Sequence, residues 1–145
     1  MATMNPNYCA GGTIYVSRVV KVGASAQGTA VVTHCGTTDQ PVGVSYEGAY
    51  SQFVNSGDPQ IAAVAGYGLH VYGLGETALV EIDAAGLAVT AGVRVKVVTS
   101  AGKIGPLVGA GQGGQWTLGI AMNSGNPGDL IKVFIDPMQV AIPQS

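Results

Sequence analysis

Apolar and polar positions alternate along most of the chain, and the alternation predicts strands. In Thr13 to Val22 (TIYVSRVVKV), Ile14, Val16, Val20 and Val22 alternate with Tyr15, Ser17 and Lys21, the period of two expected of a half-buried strand. Gly28 to Cys35 puts Val31 on one face and Val32 on the other, and Pro41 to Ser45 (PVGVS) is a short strand with an internal glycine, the mark of a bulge or a close backbone approach. Strand patterns continue through Gln60 to Tyr72, Glu76 to Asp83, Val93 to Thr99 and Trp116 to Met122. Leu130 to Ile135 is apolar on both faces except for Lys132, which predicts a place in mid-sheet or under a neighbouring subunit.

One segment breaks the pattern. In SYEGAYSQFVNSG, Tyr46, Tyr50 and Phe53 fall at helical spacing behind Ser45 as a possible cap, and they predict a single short helix docked by its aromatic face. The fold class expected is therefore all-β, a small barrel-like or bent β-ribbon domain with at most one short helix. Residues 1–12 are polar and small and read as an extended N-terminal arm, residues 13–137 as the β-rich domain and residues 138–145 as a tail. There is also an internal echo. AQGTAVVTHCG (residues 26–36) resembles TAGVRVKVVTSAG (90–102), and each is followed by an apolar-Gly-apolar tripeptide, Val42-Gly43-Val44 and Leu118-Gly119-Ile120. The echo predicts two copies of one strand-turn-strand unit in a single barrel-like sheet.

Composition adjusts this picture. Charged residues are 10% of the chain, against about 25% in ordinary soluble proteins, and there are 23 glycines. So little surface charge suits a protein whose surface is covered by other subunits. The net charge of −2 is spread along the chain and predicts no nucleic-acid partner. The longest apolar stretch, Ile61 to Leu74, is broken by Gly66, Gly68, His70 and Gly73. It is too short to span a bilayer as a helix, and no membrane partner is expected. The start, MATMNPNYCAGG, lacks the basic and apolar regions of a secretory signal, so the expectation is a soluble protein made in a cytoplasm.

Candidate chemistry is sparse. GAGQGG matches G-x-G-x-x-G at Gly109, Gly111 and Gly114, with Asp136 downstream, but QWTLGIAM follows, a strand-like run where a dinucleotide site needs a helix N-terminus. Cys9, His34, Cys35 and His70 have no second ligand at a metal-site spacing, and the two cysteines read as buried free thiols. No G-x-S-x-G elbow accompanies the histidines. Asp39, Asp58, Asp83 and Asp129 sit in turn contexts where aspartate is common. The expectation is no catalytic site, no metal and no cofactor. Trp116, at a strand start, reads as a core or subunit-interface anchor.

The ordered set SRVVKV (17–22), PVGVS (41–45), GETALVEID (75–83), AAGLAVTAGVRVKVVTSAGKIGPL (84–107) and GDLIKVFIDP (128–137) resembles the capsid cement proteins of tailed bacteriophages. More distantly it resembles the head-decoration proteins of lambda-like phages. The likeness spans residues 13–137, with residues 46–75 fitting least. It implies an all-β homotrimer without enzymatic activity, seated on the outer surface of the virion at three-fold and quasi-three-fold axes, with the major capsid protein as partner. It also implies that the arm adds a strand to the shell, with Met4, Asn5, Asn7, Tyr8, Ile14 and Tyr15 as the contact residues, and that binding stabilises the expanded shell. Two other readings stand beside it: a tail or fibre subunit, which would share the composition, and a trimeric enzyme of the dUTPase type, built on a similar bent β-ribbon.

Overall fold

The computed structural model describes residues 8–23, 30–48, 61–107 and 115–140. Among them the chain forms strands and no helix, in the order β1 (Tyr8–Ala10), β2 (Ile14–Tyr15), β3 (Val19–Val22), β4 (Val31–His34), β5 (Gly43–Gly48) and β6 (Ile61–Ala63), then β7 (Gly68–Tyr72), β8 (Thr77–Glu81), β9 (Arg94–Val97), β10 (Ile104–Pro106), β11 (Gln115–Ala121) and β12 (Leu130–Val140). The all-β expectation holds. β1, β4, β3, β5 and β7 close into a barrel, sealed by the parallel pairing of Cys9 with Val31 and Ala10 with Val32. The second sheet runs β10-β9-β11-β12-β8, and its two outer strands approach through a parallel bridge between Ile82 and Ile104.

These two sheets are the same structure twice. Taken in chain order, β1, β3, β4, β5 and β7 of the first correspond to β8, β9, β10, β11 and β12 of the second, with the same spatial order and the same relative directions. The hydrogen bonds between elements repeat as well. Ala10 N donates to Tyr67 O at 2.8 Å where Ile82 N donates to Asp129 O at 2.9 Å, and Gly66 N to Ala10 O at 2.9 Å where Gly128 N donates to Ile82 O at 3.0 Å. Ser17 N to Ser45 O (3.0 Å) matches Gly92 N to Ala121 O (2.7 Å), and Cys35 N to Val19 O (2.9 Å) matches Leu107 N to Arg94 O (2.8 Å). Even the small β2–β6 pair, with Ile14 opposite Ala63, has its counterpart in the bridge between Val89 and Gly125.

The echo seen in the sequence is therefore real but differently placed. The two apolar-Gly-apolar tripeptides do correspond, since Gly43 lies opposite Val20 and Gly119 opposite Val95. The strand before them matches in another register: YVSRVVKVG (15–23) answers TAGVRVKVV (90–98). The copies also form two sheets instead of one. Both tripeptide glycines are forced, because a Cβ on Gly43 would strike the carbonyl of Tyr72 and one on Gly119 that of Phe134.

Inward-facing residues fill each barrel. Val20, Val32, Leu69 and Val71 pack in the first with Ile14, Ala62 and Ala63 from the β2–β6 pair. Val80, Ile82, Val95, Ile104, Leu118, Ile131 and Val133 pack in the second. Each fully buried valine, leucine or isoleucine contributes about 1.5–3 kcal/mol relative to exposure. As the apolar run predicted, β12 lies in mid-sheet between β11 and β8.

Several boundaries differ from expectation. Thr13 to Val22 is two strands, because Ser17 adopts a left-handed backbone (φ 63°) that kinks the chain, so that Val19 and Val20 are both buried and Val22 is exposed. Gln60 to Tyr72 divides at Gly66, also left-handed (φ 87°), into β6 and β7. β10 was not anticipated. The expected helix is replaced, over Ser45 to Gly48, by continuation of β5. Ser45 N donates to Arg18 O at 2.9 Å and Ser45 Oγ to Tyr15 O at 2.6 Å, so strand pairing overrides the aromatic spacing. Tyr50 and Phe53 lie outside the described residues. Tyr8–Ala10 is a barrel strand flanked on both sides, so the domain begins before residue 13, and β12 carries it beyond residue 137 to Val140, opposite Gln115.

Gly43→Ala and Gly119→Ala should each lower stability by roughly 3 kcal/mol or more, by overpacking against a paired strand, measured by urea unfolding. Ser17 stands where the second copy has Gly92 (φ 90°). A left-handed non-glycine residue costs about 1–2 kcal/mol and glycine's extra backbone entropy about 0.5–1. Ser17→Gly should therefore stabilise by about 0.5 kcal/mol, and Gly92→Ser should destabilise to a similar extent.

Candidate functional surfaces

Where the barrels meet, the first supplies what the second lacks. Val19 N donates to Gly102 O at 2.9 Å and Glu81 N to Ser17 O at 3.1 Å, so residues 17–19 lie along the seam between β8 and the β9–β10 hairpin. In the first barrel the corresponding seam is closed by its own chain, with Cys9 N donating to Ala30 O at 2.9 Å. Val19, Cys35 and Val44, on the outside of the first barrel, consequently join the core of the second. Gly102 permits this approach: it is left-handed (φ 76°), and a Cβ there would come within 2.9 Å of Val19 N.

Ion pairs flank the seam. Arg18, almost fully buried, reaches Glu81 Oε1 at 3.4 Å and Ala101 O at 3.1 Å, while Lys103 Nζ holds Glu81 Oε2 at 3.0 Å. One carboxylate thus answers two cations from different elements. Above the seam opens a cleft of about 220 Å³ lined by Ser17, Ser45, Tyr46 and Tyr72 of the first barrel and Thr77, Leu79 and Lys132 of the second. The Tyr46 and Tyr72 rings lie 5.2 Å apart, and His70 meets Tyr72 edge-on at 5.1 Å. Among the described residues the cleft wall has no carboxylate or thiol, and its lysine is exposed. That lining offers no paired acid and base of the kind hydrolysis uses.

The residues expected to bind a capsid are scattered. Met4, Asn5 and Asn7 lie outside the described residues. Tyr8 is half-buried in β1, whose backbone is paired on both sides and is not free to add to another sheet. Ile14 is only 1% exposed and belongs to the first core. Tyr15 stacks on His34, with ring centroids 5.7 Å apart, and carries the Arg18 guanidinium 5.3 Å above its ring. Trp116 is half-buried on β11, opposite Gln139. The G-x-G-x-x-G glycines lie outside the described residues, but the run after them is a strand, and Asp136 is engaged by Arg94 at 3.1 Å.

Among the described residues no three His, Cys, Asp or Glu side chains gather as a metal site. His34 and Cys35 are tied down separately. His34 Nε2 accepts a hydrogen bond from Tyr15 N at 3.2 Å, and burial, reinforced by the Arg18 charge, lowers its pKa to about 4. Burial, with Asp39 nearby, pushes the Cys35 thiol up to about 12, which removes the thiolate that reactivity requires. Both cysteines are free, Cys9 half-buried and Cys35 buried.

The two-faced apolar run of β12 pointed to the outer face of the second sheet, where Leu130 and Phe134 are exposed, but sequence reasoning missed Leu79 and Met122, exposed on the same face. On the side opposite the core β8 and β12 carry Leu79, Leu130 and Phe134 interleaved with Thr77 and Lys132. The chain matches no protein-family model and no curated protein.

The stability that neutral His34 contributes is whole above pH 6.5, where the unfolded chain is also neutral at this site, and is lost as pH falls from 6.5 through about 4. Urea midpoints at pH 7 and pH 4.5 should therefore differ in the native chain, and His34→Gln, which keeps an acceptor but does not titrate, should flatten the difference.

Proposed function

We propose that the chain is a structural capsid decoration protein without catalytic activity, assembling as a homotrimer on the outer surface of an icosahedral phage head and stabilising its expanded shell. The observation that carries this reading is the set of large apolar side chains exposed around Lys132 on the outer face of the second sheet, with Leu79 50%, Leu130 50%, Met122 53% and Phe134 37% exposed. A chain with 10% charged residues that leaves such a face uncovered is built to be covered.

The twin-barrel frame supports the same reading. Its strands are closed or bridged into sheets, which limits the free edges that invite indiscriminate pairing. Association then goes through side-chain surfaces. A trimer repeats each weak shell contact three times, and multivalency turns such contacts into firm attachment. Preference for the expanded lattice stabilises that lattice by mass action.

Purified protein mixed with expanded and unexpanded shells of the cognate particle and sedimented should travel with the expanded shells alone. A trimer mass is expected in solution or on the shell. Failure to bind either shell, with a monomer at every concentration, would sink the proposal.

A further inference from the structure

The duplication shows what covers the outer face of one barrel, because within the chain that face is already covered once. Val19, Cys35 and Val44 point outward from the first barrel and are buried against the seam of the second, with Tyr72 packed beside them. Their counterparts on the second barrel are Arg94, Leu107, Ile120 and Phe134, by the hydrogen bonds and pairings that repeat between copies. Among the described residues nothing covers this face. Arg94, Leu107 and Ile120 are only half-buried and Phe134 is exposed.

We infer that this face of the second barrel docks on the first barrel of another copy of the chain, against β1 and β4, repeating between molecules the contact that joins the two barrels within one. The interface is heterologous, face to seam, so each copy has one of each, and repetition generates a ring if the rotation closes and a filament if it does not. The contact rests on the duplication alone; a ring of three copies rests in addition on the decoration reading.

The chemistry on the two sides agrees with this assignment. Inside the chain, Arg18 meets Glu81 and Lys103 at the seam. The positions equivalent to these three are Val93, Cys9 and Val31, by the pairs Ser45 N to Arg18 O with Ala121 N to Val93 O, Gly11 N to Val32 O with Asp83 N to Ile104 O, and Gly23 N to Val31 O with Val98 N to Lys103 O. An ion triad in the inner contact is thus replaced by an apolar triad in the outer one. All three members change together, on both sides of the contact, and all three are half-buried.

Two further differences make the outer contact the weaker. The first barrel's seam is already sealed by Cys9 N to Ala30 O, so the docking face lies on the seam instead of entering it. Where the inner contact has Gly102 the outer one has Ala30, whose Cβ keeps the backbones apart. Arg94 stands where Val19 enters the core, but its charge is neutralised on its own face by Asp136 at 3.1 Å and its Nη1 donates to Thr117 Oγ1 at 3.2 Å. The outer contact is one that forms and releases, as assembly requires.

A cross-linking experiment reads the contact directly. Val93→Cys in the full chain, treated with a short bismaleimide, should link position 93 of one copy to Cys9 of the next and give a ladder that passes beyond dimers. Cys9→Ser in the same background should abolish it, and buried Cys35 should stay unreacted. Separately, Phe134→Glu should weaken self-association in sedimentation by roughly thirty-fold or more, as loss of an interface hot spot does, with an unchanged far-ultraviolet spectrum and melting profile. Absence of a ladder, a product that stops at dimers and persists after Cys9→Ser, or undiminished association of the folded Phe134→Glu chain would overturn the contact. Shell sedimentation run in parallel separates the two proposals. A Val93→Cys chain that ladders through positions 9 and 93 while the native chain ignores expanded shells keeps the contact and loses the decoration reading. One that binds shells without the ladder does the reverse.

Discussion

The structure depends on one shared seam. In the second barrel the strands that should close against each other part at one end, and the gap is filled by residues 17–19, which supply the donor for Gly102 O and the acceptor for Glu81 N. Unpaired backbone groups buried at such a place would cost about 1–3 kcal/mol each. The side chains carried in with that segment put Val19, Cys35 and Val44 into the second core. The kink at Ser17, the glycine at 102 and the buried Arg18 all follow from the need to bring this segment flat against its partner.

The copies have diverged where their surroundings differ and kept identity where they do not. Val20 and Val95 hold the same places, as do the glycines at 43 and 119 and at 66 and 128. Their jobs, filling a barrel and turning a corner, are identical in both halves. Where one copy meets the other and its twin meets solvent, the residues change: Val19 against Arg94, Cys35 against Leu107, Arg18 against Val93.

The strand content and the inward faces were legible in the sequence, because period-two alternation reports burial on one side and most strands here obey it. The places it misled are those where a residue serves two cores or a neighbour. Val19 and Val20 are both buried because β3 faces one core on each side, which no single-strand pattern encodes. Ser45 and Tyr46 look like a helix start only until Arg18 and Tyr15, distant in sequence, engage Ser45. The duplication was half visible, through the tripeptides around Gly43 and Gly119. Its register was hidden because the loops between matching strands differ in length, so no single period relates the copies. Of the candidate surface, Trp116 was singled out for its size, while the exposed Phe134 and Leu79 lay inside strands already accounted for.

The shared seam also decides what the chain is as a physical unit. Divided at the link between Tyr72 and Glu76, the second half would expose an apolar slot and two orphaned backbone groups, and the first an outward row of Val19, Cys35 and Val44 with nothing to cover it. Neither repeat is a module that evolution or an engineer can lift out by itself. The duplicated architecture thus behaves as one cooperative domain, and a local loosening at residues 17–19 is felt in both hearts of the molecule at once.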